Sequence, residues 1–363
     1  MEEQSLGQRL HIDFPLFFGI LVLCLIGLVV IYSAGGQDMN LVYRQAAKLL
    51  IALVGMVIVA QLPPAEIARW SFGLYVFGIA LLILVIFYGD IGKGAQRWLD
   101  LKIFRFQPSE LMKLSVPMMV AFYLADKSLP PRFTRVLAAC VLITIPVLLI
   151  AKQPDLGTAL LVATAGFSVL FIAGISWRLL TIMGGLGAAG APILWYFMHD
   201  YQKRRVLTFL NPENDPLGAG YHTIQSKIAV GSGGFYGKGW LNGTQSHLEF
   251  LPERSTDFIF AVFCEEFGML GVLFLLCIYL FIISRGLYIA INAQHTFGRL
   301  LASGLTLTFF VYIFVNMGMV TGQLPVVGVP LPLVSHGGTS MVTLMIGFGI
   351  IMAIHTHRRF LSF

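Results

Sequence analysis

The chain is poor in charge. Of its 363 residues only 12% are Asp, Glu, Lys or Arg, whereas 57% are hydrophobic. A soluble domain averages about 25% charged and about 45–50% apolar residues. This chain therefore has too little polar surface to cover a water-soluble particle. The composition disfavours a soluble helical protein and favours the lipid bilayer as the solvent.

Recognisable ligand-binding patterns are also scarce. The four cysteines fall inside apolar stretches, which is typical of small buried side chains and not of a disulfide framework. The eight histidines show no metal-ligand spacing, and there is no Asp-x-Asp motif of the kind that binds a metal with a nucleotide sugar. We therefore expect no protein metal site and no cofactor, and leave open a requirement for a divalent cation. In a membrane protein the net charge of +6 indicates cytoplasmic anchoring or contact with lipid phosphate more than nucleic acid.

Apolar stretches of about 20 residues recur along the chain, and each can cross a hydrocarbon layer of about 30 Å. Backbone groups in lipid must bond internally, so such spans are helices. The predicted spans are 14–31, 46–60, 70–87, 111–124, 136–150, 156–175, 179–198, 258–283, 300–320 and 341–354. The sequence thus predicts an all-α integral membrane protein of about ten transmembrane helices, with residues 1–363 as one polytopic domain.

An even number of spans places both termini on one side, and the distribution of Lys and Arg predicts that this side is cytoplasmic. Two predicted outer segments carry more positive charge than this rule favours, namely residues 88–108 and the large loop 199–257 between spans seven and eight. An excess of positive charge at the outer face predicts an anionic ligand there, such as a phosphate-bearing lipid. The basic residues are Lys93, Arg97, Lys102 and Arg105 in the first segment, and Lys203, Arg204, Arg205, Lys227, Lys238 and Arg254 in the second.

Two segments are rich in residues that break helices. In the loop 199–257, Asn-Pro and Asp-Pro pairs and a run of glycines predict turns and irregular backbone that lie back over the bundle. Between spans nine and ten, residues 323–338 are apolar but contain Pro325, Pro330 and Pro332. This segment is not expected to be a regular helix, and we predict that it is re-entrant or lines a cavity.

Charged residues at membrane depth are costly, so each is a candidate functional residue. Glu110 and Lys113 lie one turn apart and can either serve function or simply pair with each other. Asp155 follows a proline at the start of span six, where it can act in a site or cap the helix. Asp257 stands where the polar loop meets span eight. That setting raises a carboxyl pKa towards neutrality, as a general base needs, although a plain helix cap is the alternative.

Glu265 and Glu266 follow about two turns deeper in the same span. Two adjacent carboxylates cannot both be buried and charged at low cost. We therefore expect at least one of them to be protonated or to bind a polar partner.

Nine short segments form a specific pattern along the whole chain. They read GAQRW at 94–98, FQPSELMKL at 106–114, KQPDLGT at 152–158, DPLGAGY at 215–221, QSKIA at 225–229, GWLNGTQ at 239–245, FLPERSTDFIF at 250–260, EEFG at 265–268 and PLPLVSHGGTS at 330–340. Together they resemble the SEDS family of bacterial cell-shape, division and sporulation proteins. The short N-terminal region and compact length resemble the elongation branch more than the division branch. His336 and Ser255 depart from the pattern, since many relatives have Tyr and His there.

The resemblance implies a peptidoglycan glycosyltransferase that uses lipid II, an undecaprenyl-diphosphate-linked disaccharide pentapeptide. Asp257 matches the family's essential aspartate. Its implied role is to act as general base on the acceptor 4-hydroxyl, which attacks the donor anomeric carbon with inversion. The substrate-binding residues that we predict are Arg97, Glu110, Lys113, Asp155, Lys203, Arg204, Arg205, Gln245 and Ser335.

The resemblance also implies partners and a location. The expected partners are lipid II, the nascent glycan strand, a class B penicillin-binding protein transpeptidase and other elongation-complex membrane proteins. The expected location is the bacterial inner membrane, where the enzyme would serve cell elongation and rod shape. Two other functions remain open from the residues alone. A lipid II flippase would also need intramembrane charges, and a scaffold without chemistry would recruit a cell-wall synthase through its helices.

Overall fold

The computed structural model describes residues 10–92, 95–100, 105–198, 200–211, 219–244 and 253–357. Twelve helices lie within this described part of the chain. They are α1 (Phe14–Ala34), α2 (Met39–Ala60), α3 (Pro64–Tyr88), α4 (Pro108–Ala125), α5 (Phe133–Lys152), α6 (Leu156–Ile172), α7 (Trp177–Phe197), α8 (Asp200–Leu210), α9 (Ala219–Ser232), α10 (Ile259–Ile291), α11 (Thr296–Val320) and α12 (Thr339–Thr356).

Seven helices of the described residues are long and apolar enough to cross a membrane: α1, α2, α3, α5, α10, α11 and α12. Three more, α4, α6 and α7, coincide with the remaining predicted spans. The chain is therefore a mostly helical, multi-pass membrane protein. The count of ten spans and the outer position of the large loop stay predictions.

Two local features differ from the sequence-based expectation. Between α3 and α4 the chain forms three short antiparallel strands, β1 (Asp90–Gly92), β2 (Ala95–Asp100) and β3 (Arg105–Phe106), in the order β1-β2-β3. The all-α prediction is wrong in this detail, because strand pairing satisfies backbone groups in a segment that carries no helix. The large loop contains two helices, α8 and α9, where we expected irregular backbone. Its Pro and Gly pairs follow these helices instead of interrupting them.

The centre of the bundle is formed by α4 and α11, whose side chains are largely buried. These two helices pack on each other and on α6, while α10 packs on α11 and α1. The helices α2, α3 and α5 instead expose large apolar side chains, among them Leu50 (64% exposed), Phe72 (58%) and Leu148 (63%). Such an apolar exterior is expected of a surface in contact with lipid tails.

The two ends of the described chain meet at one end of the bundle. Asp13, which caps α1, accepts hydrogen bonds from Arg285 of α10 (Nε–Oδ1 3.0 Å, Nη2–Oδ2 2.7 Å). It also lies 2.8 Å from Nδ1 of His355 near the end of α12. Burial alone would raise the pKa of Asp13, but the bonds with His355 and Arg285 hold it below its ordinary value. The start of α1 and the end of α12 therefore lie on the same side, which fits an even number of crossings.

The helix α10 is interrupted at Gly268, which has φ 61° and ψ −163°. The amides of Met269 and Leu270 donate to the carbonyls of Gly234 and Phe235 instead of continuing the helix. In return, the amides of Lys238 and Gly239 donate to the carbonyls that the break leaves free, those of Glu265 and Glu266 (both 3.0 Å). The loop after α9 is thereby fastened into the break.

We predict that Gly268→Ala lowers the thermal midpoint of the purified protein. A Cβ at this position would lie 2.3 Å from the Gly237 nitrogen and 2.8 Å from the Phe235 oxygen, on a backbone with positive φ. The conformation alone costs a side chain about 1–3 kcal/mol. Gly73→Ala in α3 is the control, because nothing lies within 4 Å of its Cβ position. Equal midpoints for the two variants would contradict the prediction.

Candidate functional site

Asp257 lies in the turn 253–258, directly before α10, and its side chain is half-buried. The N-cap of α10 is Phe258, and it makes no side-chain capping hydrogen bond. Asp257 therefore lies one residue before the N-cap position. Its carboxylate stands at the boundary between the polar loop and the apolar bundle, as the sequence predicted.

Three successive carbonyls of this turn are bound by donors from distant parts of the chain. The carbonyl of Ser255 accepts from the backbone amide of His336 (2.8 Å) and that of Thr256 accepts from the Ser335 hydroxyl (2.6 Å). The carbonyl of Asp257 accepts from the side-chain amide of Asn316 (2.9 Å). The backbone under the Asp257 side chain is thus tied to both α11 and the Pro-rich segment.

The Pro-rich segment 323–338 is irregular and partly buried, as its prolines predicted. Three consecutive residues of it contact three different elements. The Val327 carbonyl lies against Gly157 at the start of α6. A Cβ atom at position 157 would be only 2.6 Å from the Val327 oxygen. Gly328, at φ +74°, lies beside the Asp257 carboxylate, and Val329 accepts from the Asn316 amide (2.7 Å). The segment therefore joins the Asp257 turn to α6 and α11.

Asp155 and Arg97 lie together at the start of α6. Asp155 caps α6 by accepting from the Thr158 amide (3.3 Å), so the capping alternative is correct for this residue. Its other oxygen accepts from Gln107 (3.1 Å) and lies 3.7 Å from Nε of Arg97, whose Nη2 donates to the Pro154 carbonyl (2.9 Å). The Arg97 side chain keeps 31% of its surface exposed. Part of this side chain therefore remains accessible, although its Nε atom is buried.

Glu110 and Lys113 form the ion pair that their spacing allows, with Nζ and Oε1 2.7 Å apart. Both side chains are buried, and the Lys113 ammonium also lies 5.3 Å from the centre of the Tyr312 ring. Tyr312 and Asn316 are four residues apart on α11 and so share one face of that helix. The buried pair and the Asp257 turn therefore both contact the same face of α11.

The remaining predicted binding residues have different surroundings. Arg205 lines a cavity of about 20 Å³ with Thr223 and Pro325, and so reaches the Pro-rich segment. Lys203 lies on the same short helix, α8. The Ser335 hydroxyl is engaged twice, as donor to Thr256 and as acceptor from the Leu331 amide (2.8 Å). The Arg204 side chain and Gln245 lie outside what the structure describes.

Sequence reasoning missed two residues next to Asp257. Asn316 is fully buried in an apolar span, and a lone Asn there was the only available signal. His222 of α9 stacks on Phe258, with ring centres 5.9 Å apart. Burial lowers the pKa of His222 against the opposing effect of the Glu253 carboxylate, which favours a neutral imidazole beside the Asp257 turn.

Glu265 and Glu266 both bind polar partners, as expected for buried carboxylates. Glu265 accepts from Lys238 (2.7 Å) and Thr244 (3.0 Å), and Glu266 accepts from the Ser33 hydroxyl. These contacts tie the loop after α9 and the helix α1 to α10. The two glutamates therefore hold the fold around the site.

The arrangement places a half-buried carboxylate on a firmly held turn and positive groups on the elements next to it. Such a carboxylate can accept a proton, and such cations can stabilise a departing anion. Among the described residues, no three His, Cys, Asp or Glu side chains are close enough to hold a metal ion.

The chain is similar to known proteins over almost its whole length. The model of the family FTSW_RODA_SPOVE, described as cell cycle protein, matches residues 14–360. The peptidoglycan glycosyltransferase MrdB of Escherichia coli strain K12 is 55% identical over 99% of this chain and 98% of its own. A chain of a solved peptidoglycan synthase complex, described as structurally coordinating polymerization and crosslinking, superposes with a TM-score of 0.83 at 31% identity, covering 94% of this chain and 97% of that one. The rod shape determining protein RodA of Thermus thermophilus superposes with a TM-score of 0.72 at 29% identity, covering 94% and 96%.

We predict that Lys113→Met destabilises the protein more than the double variant Glu110→Gln, Lys113→Met. Removal of one partner leaves a buried charge without compensation, at a cost of about 3–5 kcal/mol, whereas removal of both avoids that cost. Thermal midpoints of the two single variants, the double variant and the wild type form the cycle. Additive losses would contradict a direct ion pair.

Proposed function

The chain belongs to the FtsW/RodA/SpoVE family of cell cycle proteins, the SEDS family, and on that premise we propose that it polymerises peptidoglycan glycan strands. The 55% identity to a peptidoglycan glycosyltransferase over nearly the whole chain supports the activity. The observation that carries the mechanism is Asp257, a half-buried carboxylate whose turn is bound through three backbone carbonyls. The donor is lipid II, and the chain serves cell elongation and rod shape.

Asp257 acts as general base in this proposal. Its carboxylate accepts the proton of the acceptor 4-hydroxyl while that oxygen forms a bond to the anomeric carbon of the donor. The bond from the same carbon to the diphosphate oxygen breaks, and the configuration inverts. Gly328 favours this reaction because it places no side chain beside the carboxylate, so an acceptor sugar can approach.

The departing lipid diphosphate carries negative charge that positive groups can stabilise. Arg97 is the best placed of these, since it is partly exposed and contacts the start of α6, which packs against the Pro-rich segment. Lys203, Arg204 and Arg205 contribute from α8. Lys113 and Glu110 are buried, and as an ion pair beside Tyr312 they shape the site. Asp155 orients Arg97, and Gln245 and Ser335 complete the substrate-binding set.

The chain works as a multi-pass protein of the bacterial inner membrane, with both termini in the cytoplasm and the site at the outer face. The solved synthase complex supports a partner that crosslinks the glycan. We propose that this partner is a class B penicillin-binding protein transpeptidase, together with other membrane proteins of the elongation complex. The nascent glycan strand is a further partner, and no nucleic acid takes part.

Asp257→Asn should reduce polymerisation by at least about 100-fold, because a general base contributes about 10²–10⁴ to the rate. The assay uses purified full-length protein with its partner transpeptidase and labelled lipid II, read as glycan polymer on a gel. Asp126→Asn, at an exposed position after α4, is the matched control and should be as active as the wild type. Wild-type rates in Asp257→Asn would remove this residue from the mechanism. Lipid II transport across vesicles by a wild type that makes no polymer would instead favour a flippase.

Arg97→Gln should weaken binding of lipid II by about tenfold, the effect of losing about 1.4 kcal/mol. A charge-assisted contact to phosphate is lost, whereas the fold keeps the Gln107 bond to Asp155. Binding of labelled lipid II to detergent-solubilised protein measures the effect, with thermal midpoints as a check on folding. Arg178→Gln, exposed at the start of α7 and outside both basic segments, is the control. Unchanged affinity in Arg97→Gln would rule out its phosphate contact.

A further inference from the structure

Asn316 is the most unusual polar residue of the central helix α11. It is fully buried in a span that is otherwise long and apolar. Other buried polar side chains of α11, such as Ser303, Thr306 and Thr308, donate to carbonyls one turn back in their own helix. Asn316 instead directs its amide out of the helix. A buried amide is costly unless it is bound, so its position requires a partner outside α11.

The partners of Asn316 are two carbonyls from different segments. Nδ2 donates to the Asp257 carbonyl (2.9 Å) and to the Val329 carbonyl (2.7 Å). Two acceptors need the two hydrogens of one NH₂ group, which also decides the orientation of the amide. The Oδ1 atom is buried and has no hydrogen-bond partner among the described residues. The hydrogen bonds of this side chain are therefore made by its NH₂ group and not by its carbonyl oxygen.

We infer that Asn316 is the positioning residue that holds the Asp257 peptide in place for proton transfer. This inference rests on the proposed role of Asp257 as the base. Of the three donors to the turn, the amide of His336 belongs to the backbone, and Ser335 binds one residue earlier. Asn316 alone among these three contacts Asp257 itself and also fixes Val329, the neighbour of Gly328. It therefore positions both the Asp257 backbone and the backbone next to Gly328, where no side chain fills the space beside the carboxylate.

The effect expected of losing this contact falls on the rate of the chemical step. The Asp257 carboxylate would remain present, but its turn would sample positions away from the acceptor hydroxyl. A displacement of about 1 Å at a reacting group can cost about 100-fold in rate. Binding of lipid II through the positive groups would stay nearly unchanged, because those groups lie on β2, α4 and α8.

Two substitutions separate a hydrogen-bonding role from a packing role. Asn316→Leu keeps a branched side chain of similar shape and removes the donors. Asn316→Ala removes the donors but leaves room for a water molecule, which can donate to both carbonyls. A hydrogen-bonding role predicts that the alanine variant is the more active of the two. A packing role predicts the opposite order, because alanine creates the larger cavity. Ser303→Ala is the control, a buried polar residue of α11 that bonds only within its own helix.

The experiment measures kcat and KM for lipid II on the full-length protein with its partner, and hydrogen exchange of residues 253–258. We expect Asn316→Leu to lower kcat by about 10- to 100-fold, with KM within twofold, and to speed exchange in this turn but not in α2 or α5. Asn316→Ala should fall between Asn316→Leu and the wild type. If Asn316→Leu does not fold, the alanine variant still tests the inference through its exchange and its kcat. Wild-type kcat with wild-type exchange, or a leucine variant more active than the alanine variant, would overturn the inference.

The two proposals fail in distinguishable ways. Inactive Asp257→Asn with unaffected Asn316 variants would overturn the positioning role alone. Fully active Asp257→Asn would overturn the proposed base, and with it the catalytic part of this inference. Faster exchange in Asn316→Leu would then support only the hydrogen bonds that hold the turn.

Discussion

Two non-helical segments lie partly buried against the bundle, and the backbone groups that they bury must be satisfied by the protein itself. The turn 253–258 and the Pro-rich segment 323–338 meet this requirement largely through each other and through Asn316. The rest of the site depends on these bonds. They allow a polar turn to carry Asp257 to the edge of the apolar core, and they keep Gly328 beside its carboxylate.

The charged side chains that contact the bundle are also satisfied by partners within the protein. Lys113 is paired with Glu110, Lys238 with Glu265, and Arg285 with Asp13, each at 2.7 Å. The first pair lies within one helix, and the other two link separate elements. In each pair the positive charge is compensated by a carboxylate, and the contact stabilises the fold. Arg97 differs in distance, because its Nε lies 3.7 Å from Oδ2 of Asp155 whereas the other three pairs are 2.7 Å apart. It is therefore paired less closely with its carboxylate than the other three cations are.

The helix α10 connects the two ends of the molecule. It begins two residues after Asp257, is interrupted at Gly268, and carries Arg285 at the end of the bundle where the two ends of the described chain meet. The interruption uses the loop after α9 to satisfy the carbonyls of Glu265 and Glu266. The loop after α9 is therefore joined to α10 by contacts that become possible because the helix is broken at a glycine.

Composition and hydrophobic length predicted the membrane class and the approximate position of the spans, and the spacing of Glu110 and Lys113 allowed their pairing. These properties act locally along the chain. Asp257 stood out through its position where the polar loop meets an apolar span and through the resemblance to the SEDS family. The folded chain shows that Asp155 caps α6, that two helices lie within the large loop, and that Asn316 contacts Asp257. Asn316 and Asp257 are 59 residues apart, and such a contact depends on how α11 packs against the start of α10, which no local pattern encodes.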